Sequence, residues 1–145
     1  VFFADSFLTP FTAFLTTLGV VIAAWGGVML ADIALRRKDY DEPSLFTPTG
    51  RYGSVNWGAV ASLIVGSLVG WGLVVNASAS WLSWQGYLLG PLGGREGDWA
   101  GANIGILLAM VVGFVGYWAT SAGRVREQEK LPSRTYVEGA EEGQQ

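Results

Sequence analysis

Three long segments of this chain carry no charged side chain, and the shorter segments before, between and after them carry every charge. The uncharged segments are residues 6–31, 52–94 and 99–123. A helix needs roughly 20 apolar residues to cross the hydrocarbon core of a bilayer. A helix on the surface of a soluble domain needs a polar face, and these segments offer no charged one. The pattern therefore predicts an all-α membrane protein with three transmembrane helices.

The same pattern sets the limits of the spans. Hydrophobic positions group into three spans. They are separated by a polar loop, which we expect to be cytoplasmic, and by a Gly-rich loop with an interfacial segment, which we expect to be extracellular. The C-terminal tail is too polar to bury the apolar surface that ordering requires, so we predict that it is disordered. The predicted spans cover residues 1–36, 55–79 and 99–122. The loops between them cover residues 37–54 and 80–98, and the tail covers residues 123–145.

Composition narrows the function classes. The chain has nine basic and twelve acidic residues, with no basic patch, which argues against a nucleic-acid partner. It has no Cys and no His. It therefore offers no disulfide, thiol chemistry or zinc site, and no nucleophile with a histidine base. We expect no enzyme activity, no bound metal and no cofactor, and a membrane enzyme is the poorest of the readings.

The basic residues also predict the orientation. Four lie in the loop after the first span and four in the tail, but the loop between the second and third spans has only Arg95. Lys and Arg accumulate in cytoplasmic loops. The first loop and the C-terminus are therefore predicted to be cytoplasmic, in a multi-pass protein of the cell membrane.

Small residues recur at every fourth position in each span. Such stripes let helix backbones approach closely in lipid, where no hydrophobic force drives helices together. We favour close packing within one bundle, and homodimerisation through one stripe is the alternative. The predicted helix-packing residues are Gly19, Ala23, Gly27, Gly58, Ser62, Gly66, Gly70, Gly101, Gly105, Ala109 and Gly113. The opposite side of the first helix is bulky and suits lipid.

Asp32 is the one ionisable residue well inside a span. An intramembrane carboxylate is costly and is a functional candidate by default. Arg36 follows four residues later, within reach on a helix, and an acid near a helix C-terminus opposes the macrodipole. We therefore favour a structural inner salt bridge between Asp32 and Arg36. An inner-gate pair and a coupling-ion site are the alternatives.

Two strings carry a family resemblance. Gly26-Gly27-Val28-Met29-Leu30-Ala31-Asp32-Ile33, followed by Arg36-Arg37, resembles the end of the tenth helix of nucleobase:cation symporter family 1. The later Asn56-Trp57-Gly58-Ala59 resembles the start of the eleventh helix. The resemblance covers about residues 7–122 and is strongest to the cytosine and purine permeases. Ile33 departs from the family pattern, which usually has Tyr there.

This resemblance implies a fold and a function. The chain would be the C-terminal fragment, helices ten to twelve, of a leucine-transporter-type fold with two inverted five-helix repeats plus two helices. The family's substrate contacts lie on upstream helices, so no substrate-binding residue is expected here. The outer half of the tenth helix acts as a thin gate in such transporters, which makes Thr12, Leu15 and Thr16 candidate gate-lining residues.

The implied activity is that of a segment of a secondary-active permease that imports a nucleobase with a coupling cation, Na⁺ or H⁺. Its expected partners are the lipid bilayer, the upstream helices of the same transporter and, for the full protein, the nucleobase. The alternative is a small three-span accessory or scaffold subunit that associates through its small-residue stripes.

Overall fold

The computed structural model describes residues 2–38, 40, 46, 52–76, 79–94 and 103–130. Within these ranges the chain is helical and has no strand. It forms three α-helices and one short 3-10 helix: α1 (Phe2–Leu35), α2 (Trp57–Gly72), the 3-10 helix (Ser80–Leu82) and α3 (Ile104–Lys130). Two helices, Phe7–Leu35 of α1 and α3, are long and apolar enough to cross a membrane, and α2 is apolar but has only 16 residues.

The three helices form one bundle in which α3 packs against both α1 and α2. Gly58 near the start of α2 lies beside Ser121, and Gly70 near its end lies beside Gly105, so α2 and α3 are antiparallel. Asp32 at the end of α1 contacts Tyr117 in the second half of α3, and these two helices run in the same direction. The last residues of α1 and of α3 therefore lie at the same end of the bundle. We call it the basic end, because Arg36, Arg37, Lys38, Arg124, Arg126 and Lys130 lie there.

Helices α1 and α2 both pack closely against the backbone of α3 at its small residues. A Cβ atom built on Gly105 would lie 2.3 Å from the carbonyl oxygen of Gly70 in α2. One built on Gly113 would lie 2.4 Å from the carbonyl oxygen of Ala24 in α1. Both distances are too short for a real side chain, so the two contacts need glycine. The residues of α3 that are buried recur at intervals of four and finally three: Gly105, Ala109, Gly113, Tyr117, Ser121, Val125 and Gln128.

The packing face of α1 is rotated from the one that the small residues predict. Of the predicted stripe, Gly27 is buried, whereas Gly19 and Ala23 are only half-buried. The buried face is turned by about 80°, at 100° per residue. Val20 explains the rotation, because its Cγ1 lies 2.5 Å from where a Cβ of Gly70 would be and fills the space that this glycine leaves. The residues on the buried face are Ala13, Val20, Ala24, Gly27, Val28 and Ala31.

The bulky side of α1 points away from the other two helices. Its large apolar side chains are 42 to 56% exposed, which is the arrangement a lipid-facing surface requires. They are Phe11, Phe14, Leu15, Leu18, Ile22, Trp25 and Met29.

Helix α2 ends at Gly72, before the predicted boundary at residue 79. The segment 79–94 folds back and supplies donors for the carbonyls that a helix end leaves without partners. The backbone N–H of Gly86 donates to the carbonyl of Trp71 at 2.9 Å, and that of Leu88 donates to the carbonyl of Gly72 at 2.9 Å. The hydroxyl of Tyr87 donates to the carbonyl of Leu68. Gly86 has φ +76°, a turn geometry that glycine adopts at little cost.

Helix α3 continues to Lys130, past its predicted end at residue 122 and into the segment predicted to be a disordered tail. Ser121, Val125 and Gln128 continue the buried side of the helix, which the polar composition of this segment concealed. The Glu129 carboxylate then accepts the backbone N–H of Lys38 at 3.2 Å and that of Arg37. The predicted packing residue Gly101 and residues 131–145 lie outside the described residues.

Adjacent glycines in α1 provide a direct test of this packing. A Cβ on Gly27 would lie 2.1 Å from the carbonyl oxygen of Met110, whereas one on Gly26 would meet nothing within 4 Å. We expect Gly27→Ala to lower the free energy of unfolding in detergent by about 1–3 kcal/mol, because α1 must move away from α3. Gly26→Ala should be neutral or stabilise by up to about 1 kcal/mol. Equal effects of the two substitutions would show that α1 and α3 do not pack in this way.

Candidate functional site at the basic end

The Asp32 carboxylate is the centre of a polar cluster at the basic end. The guanidinium of Arg36 donates to it twice, from Nε at 2.8 Å and from Nη2 at 3.1 Å. The hydroxyls of Tyr40 and Tyr117 also donate to it, one to each oxygen. The side chains of Asp32 and Arg36 are 16% and 12% exposed. The carboxylate is thus removed from most solvent but has four charge-neutralising or hydrogen-bonding contacts, which a buried charge requires.

Local structure explains why Asp32 and Arg36 meet. Arg36 continues the last turn of α1, since its backbone N–H donates to the carbonyl of Asp32 at 3.1 Å. The two side chains are therefore four residues apart on one helical face. An isolated acid near a helix C-terminus would be repelled by the partial negative charge there. The paired guanidinium removes that repulsion and brings positive charge to the end of α1.

Arg36 is itself held from several directions. Its Cζ lies 4.7 Å from the ring centroid of Tyr40 and 5.0 Å from that of Tyr52, distances typical of cation–π contacts. Its Nη2 also donates to Oε1 of Gln128 at 3.4 Å. Arg36 therefore links α1 to α3 and to the segments that contain the two tyrosines.

Tyr40 lies outside the spans and remains a donor over the physiological range. Burial, together with its hydrogen bond to Asp32, raises the pKa of its hydroxyl above the usual 10. The hydroxyl is therefore neutral at pH 7, and it keeps its proton for the Asp32 carboxylate.

Asn56 brings the start of α2 into the same cluster. As the N-cap of α2, its Oδ1 accepts the backbone N–H of Ala59 at 3.3 Å. Its Nδ2 donates to the hydroxyl of Tyr117 at 3.2 Å, and that hydroxyl donates to Asp32. All three helices thus meet through one tyrosine. We call Asp32, Arg36, Tyr40, Asn56, Tyr117 and Gln128 the Asp32 cluster.

A second group of hydrogen bonds ties the other half of α1 to α2 and to the segment after it. Nε1 of Trp71 donates to the carbonyl of Thr17 at 3.0 Å, and Nε2 of Gln85 donates to the Thr17 hydroxyl at 2.9 Å. Nδ2 of Asn76 donates to the carbonyl of Ala13 at 3.0 Å and is buried. Carbonyls of an apolar helix therefore serve as acceptors for side chains from α2 and beyond.

The three candidate gate-lining residues lie away from these contacts. Thr12 and Leu15 are exposed, and Thr16 is half-buried with its hydroxyl donating to the carbonyl of Thr12 at 3.0 Å. The described parts of α2 and α3 leave this side of α1 uncovered. Leu15 belongs to the bulky side of α1 described above, whereas Thr12 and Thr16 lie beside that side. A gate-lining role for the three residues stays a prediction.

Sequence reasoning paired Asp32 with Arg36 but missed the other members of the Asp32 cluster. Tyr117 stands four residues after Gly113 and so continues the small-residue stripe of α3, which was the signal available in the sequence. Asn56 stood out only as the first residue of the string Asn56-Trp57-Gly58-Ala59. Tyr40 and Gln128 carried no comparable signal, because loop geometry and the extension of α3 bring them in. In the described part of the chain, no group of three His, Cys, Asp or Glu side chains is placed to hold a metal ion.

The long apolar helices, bound to one another by glycine contacts and by a paired intramembrane carboxylate, are typical of a multi-helix membrane protein. The family model described as "Permease for cytosine/purines, uracil, thiamine, allantoin" matches residues 3–90. This is more than half of the chain, and the chain therefore belongs to that family of permeases. The match includes α1, α2, the Asp32–Arg36 pair and Asn56. No curated protein and no solved structure matches the chain.

Membership confirms the resemblance of the two sequence strings to the nucleobase:cation symporters, and it points to a segment of a membrane transporter.

Removing the charge of Asp32 tests the energetics of the cluster. Asp32→Asn leaves the partly buried guanidinium of Arg36 without a counter-charge and weakens the bonds from both tyrosines. We expect the free energy of unfolding in detergent to fall by about 2–3 kcal/mol. The control is Glu127→Gln, which breaks the exposed Glu127–Lys130 pair and should have no measurable effect. A loss for Asp32→Asn as small as that of the control would contradict the cluster.

Proposed function

We propose that this chain forms the last three helices of a secondary-active permease that imports a nucleobase of the cytosine or purine type together with Na⁺ or H⁺. The observation that carries the proposal is the family match over residues 3–90. The permease lies in the cell membrane, and its basic end faces the cytoplasm, in accord with the preference of Lys and Arg for that side.

The surface of α1 supports a position beside further helices of the transporter. Gly19 and Ala23 are half-buried at the edge of the contact with α3, and the weakly polar Thr12 and Thr16 continue the same side. Small residues of this kind suit close contact with another helix better than contact with lipid. The side that carries Thr12 and Thr16 therefore faces the upstream helices and the substrate path, and the side that carries Phe14 and Trp25 faces lipid.

The firm contacts of α1 divide it into two parts with different roles. The Asp32 cluster holds its C-terminal half at the basic end. Its first half is held more sparsely, by bonds to the carbonyls of Ala13 and Thr17. A gate needs one part that moves and one that stays fixed, and the sparser contacts of the first half support a moving part there, which includes Thr12, Leu15 and Thr16. Asp32 and Arg36 then act as a structural anchor.

Uptake measurements test the proposed activity. In cells that express the natural gene product containing this chain, we expect saturable uptake of radiolabelled cytosine, uracil or a purine above that of cells with an empty vector. Uptake should stop when the Na⁺ gradient or the proton gradient is collapsed, whichever is coupled. A protein that reaches the membrane but transports none of these compounds would contradict the proposal.

Cysteine labelling tests the gate. The chain has no native Cys, so a single substitution gives this segment one thiol, and the unsubstituted full protein supplies the background labelling. We expect Thr16→Cys to react with a membrane-impermeant maleimide from outside and to be protected by substrate, because its side chain borders the path. Phe14→Cys is the control at the same depth on the lipid-facing side, and substrate should leave its reactivity unchanged. Equal protection at both positions, or none at either, would exclude the gate-lining assignment.

A further inference from the structure

A cavity at the basic end lies between the last turn of α1 and the end of α3. Its volume is about 350 Å³. Its lining comes from Ala34, Leu35, Arg37, Trp118, Arg126 and Glu129. None of these six residues belongs to the Asp32 cluster.

The charged part of the cavity favours an anion. Among the described residues, the guanidinium groups of Arg37 and Arg126 are in no ion pair, and both side chains are exposed. The Glu129 carboxylate is the one acidic group in the lining, and it already accepts the backbone N–H groups of Arg37 and Lys38. Two guanidinium groups against one carboxylate leave one net positive charge. Guanidinium forks bind phosphate oxygens in pairs, which matches a phosphate group.

The remaining lining is apolar and lies at the level where the spans become charged. Ala34 and Leu35 are the last residues of α1, and Arg36 and Arg37 follow directly. Trp118 is 42% exposed, and tryptophan is enriched where the hydrocarbon core meets the headgroups. A small soluble anion would make no contact with these apolar side chains. A phospholipid would place its phosphate beside the arginines and its acyl chains against the apolar side chains.

We propose that this cavity binds the headgroup of an anionic phospholipid, with Arg37 and Arg126 on the phosphate and with Leu35 and Trp118 against the upper acyl chains. Basic pockets between membrane helices on the cytoplasmic side are suited to such headgroups. The site rests on the membrane location of the helices and does not depend on the transported substrate. The lipid joins the end of α1 to α3 at a second place, beside the Asp32 cluster.

Native mass spectrometry of the full natural protein, titrated with phosphatidylglycerol or phosphatidylcholine, tests the site. We expect tighter binding of phosphatidylglycerol. Arg126→Gln should weaken it about fivefold, the usual contribution of one basic residue near an anionic surface. Arg124→Gln is the matched control, because Arg124 carries the same charge on the same helix end, is in no ion pair among the described residues and lies outside the cavity lining. It should leave the affinity nearly unchanged.

A variant that should strengthen lipid binding distinguishes a loss of the site from a loss of folding. Glu129→Gln keeps an acceptor for the N–H groups of Arg37 and Lys38 but removes the negative charge, so phosphatidylglycerol should bind more tightly. Arg126→Lys should retain most of the affinity that Arg126→Gln loses. Equal losses for Arg126→Gln and Arg124→Gln would overturn the site in favour of general surface attraction. Equal binding of the two lipids, or binding of glycerol phosphate as tight as that of phosphatidylglycerol, would also overturn it.

Discussion

The structure depends on the pairing of one carboxylate inside an apolar helix. Leaving Asp32 without partners near the end of α1 would be costly, because neither lipid nor apolar side chains solvate a charge. The chain meets this requirement with Arg36 from the same helix and with hydroxyl groups from two other segments. Tyr117 is on α3, and its hydroxyl also accepts a hydrogen bond from Asn56, the N-cap of α2. The hydrogen bonds that stabilise the Asp32 charge therefore connect all three helices.

Glycine contacts make that meeting possible. Tyr117 reaches Asp32 because α1 and α3 already lie close together at Ala24–Gly113 and Gly27–Met110. Hydrophobic burial offers little drive for association in lipid, and close backbone contact takes its place. The two features therefore act together, since glycines bring the helices close and the polar cluster fixes which end of α1 pairs with which end of α3.

The sequence predicted the helical class, the two long spans and the pairing of Asp32 with Arg36, because each depends on local periodicity. It did not predict the rotation of α1, which follows from one large-on-small contact between Val20 and Gly70. The early end of α2 depends on donors from Gly86 and Leu88, far along the chain. The extension of α3 to Lys130 was concealed because every fourth residue stays buried while its neighbours become polar. These features come from contacts between distant segments of the chain, which composition and periodicity do not predict.

Asp32 and Tyr117 couple α1 to α3 directly. A double-mutant cycle with Asp32→Asn and Tyr117→Phe, measured by equilibrium unfolding in one detergent, tests this coupling without reference to transport. Residues in contact within one hydrogen-bond network show coupling of about 0.5–3 kcal/mol, and we expect a coupling energy of at least about 1 kcal/mol between these two. A coupling energy near zero, with each single variant folded, would show that other contacts hold the two helices together.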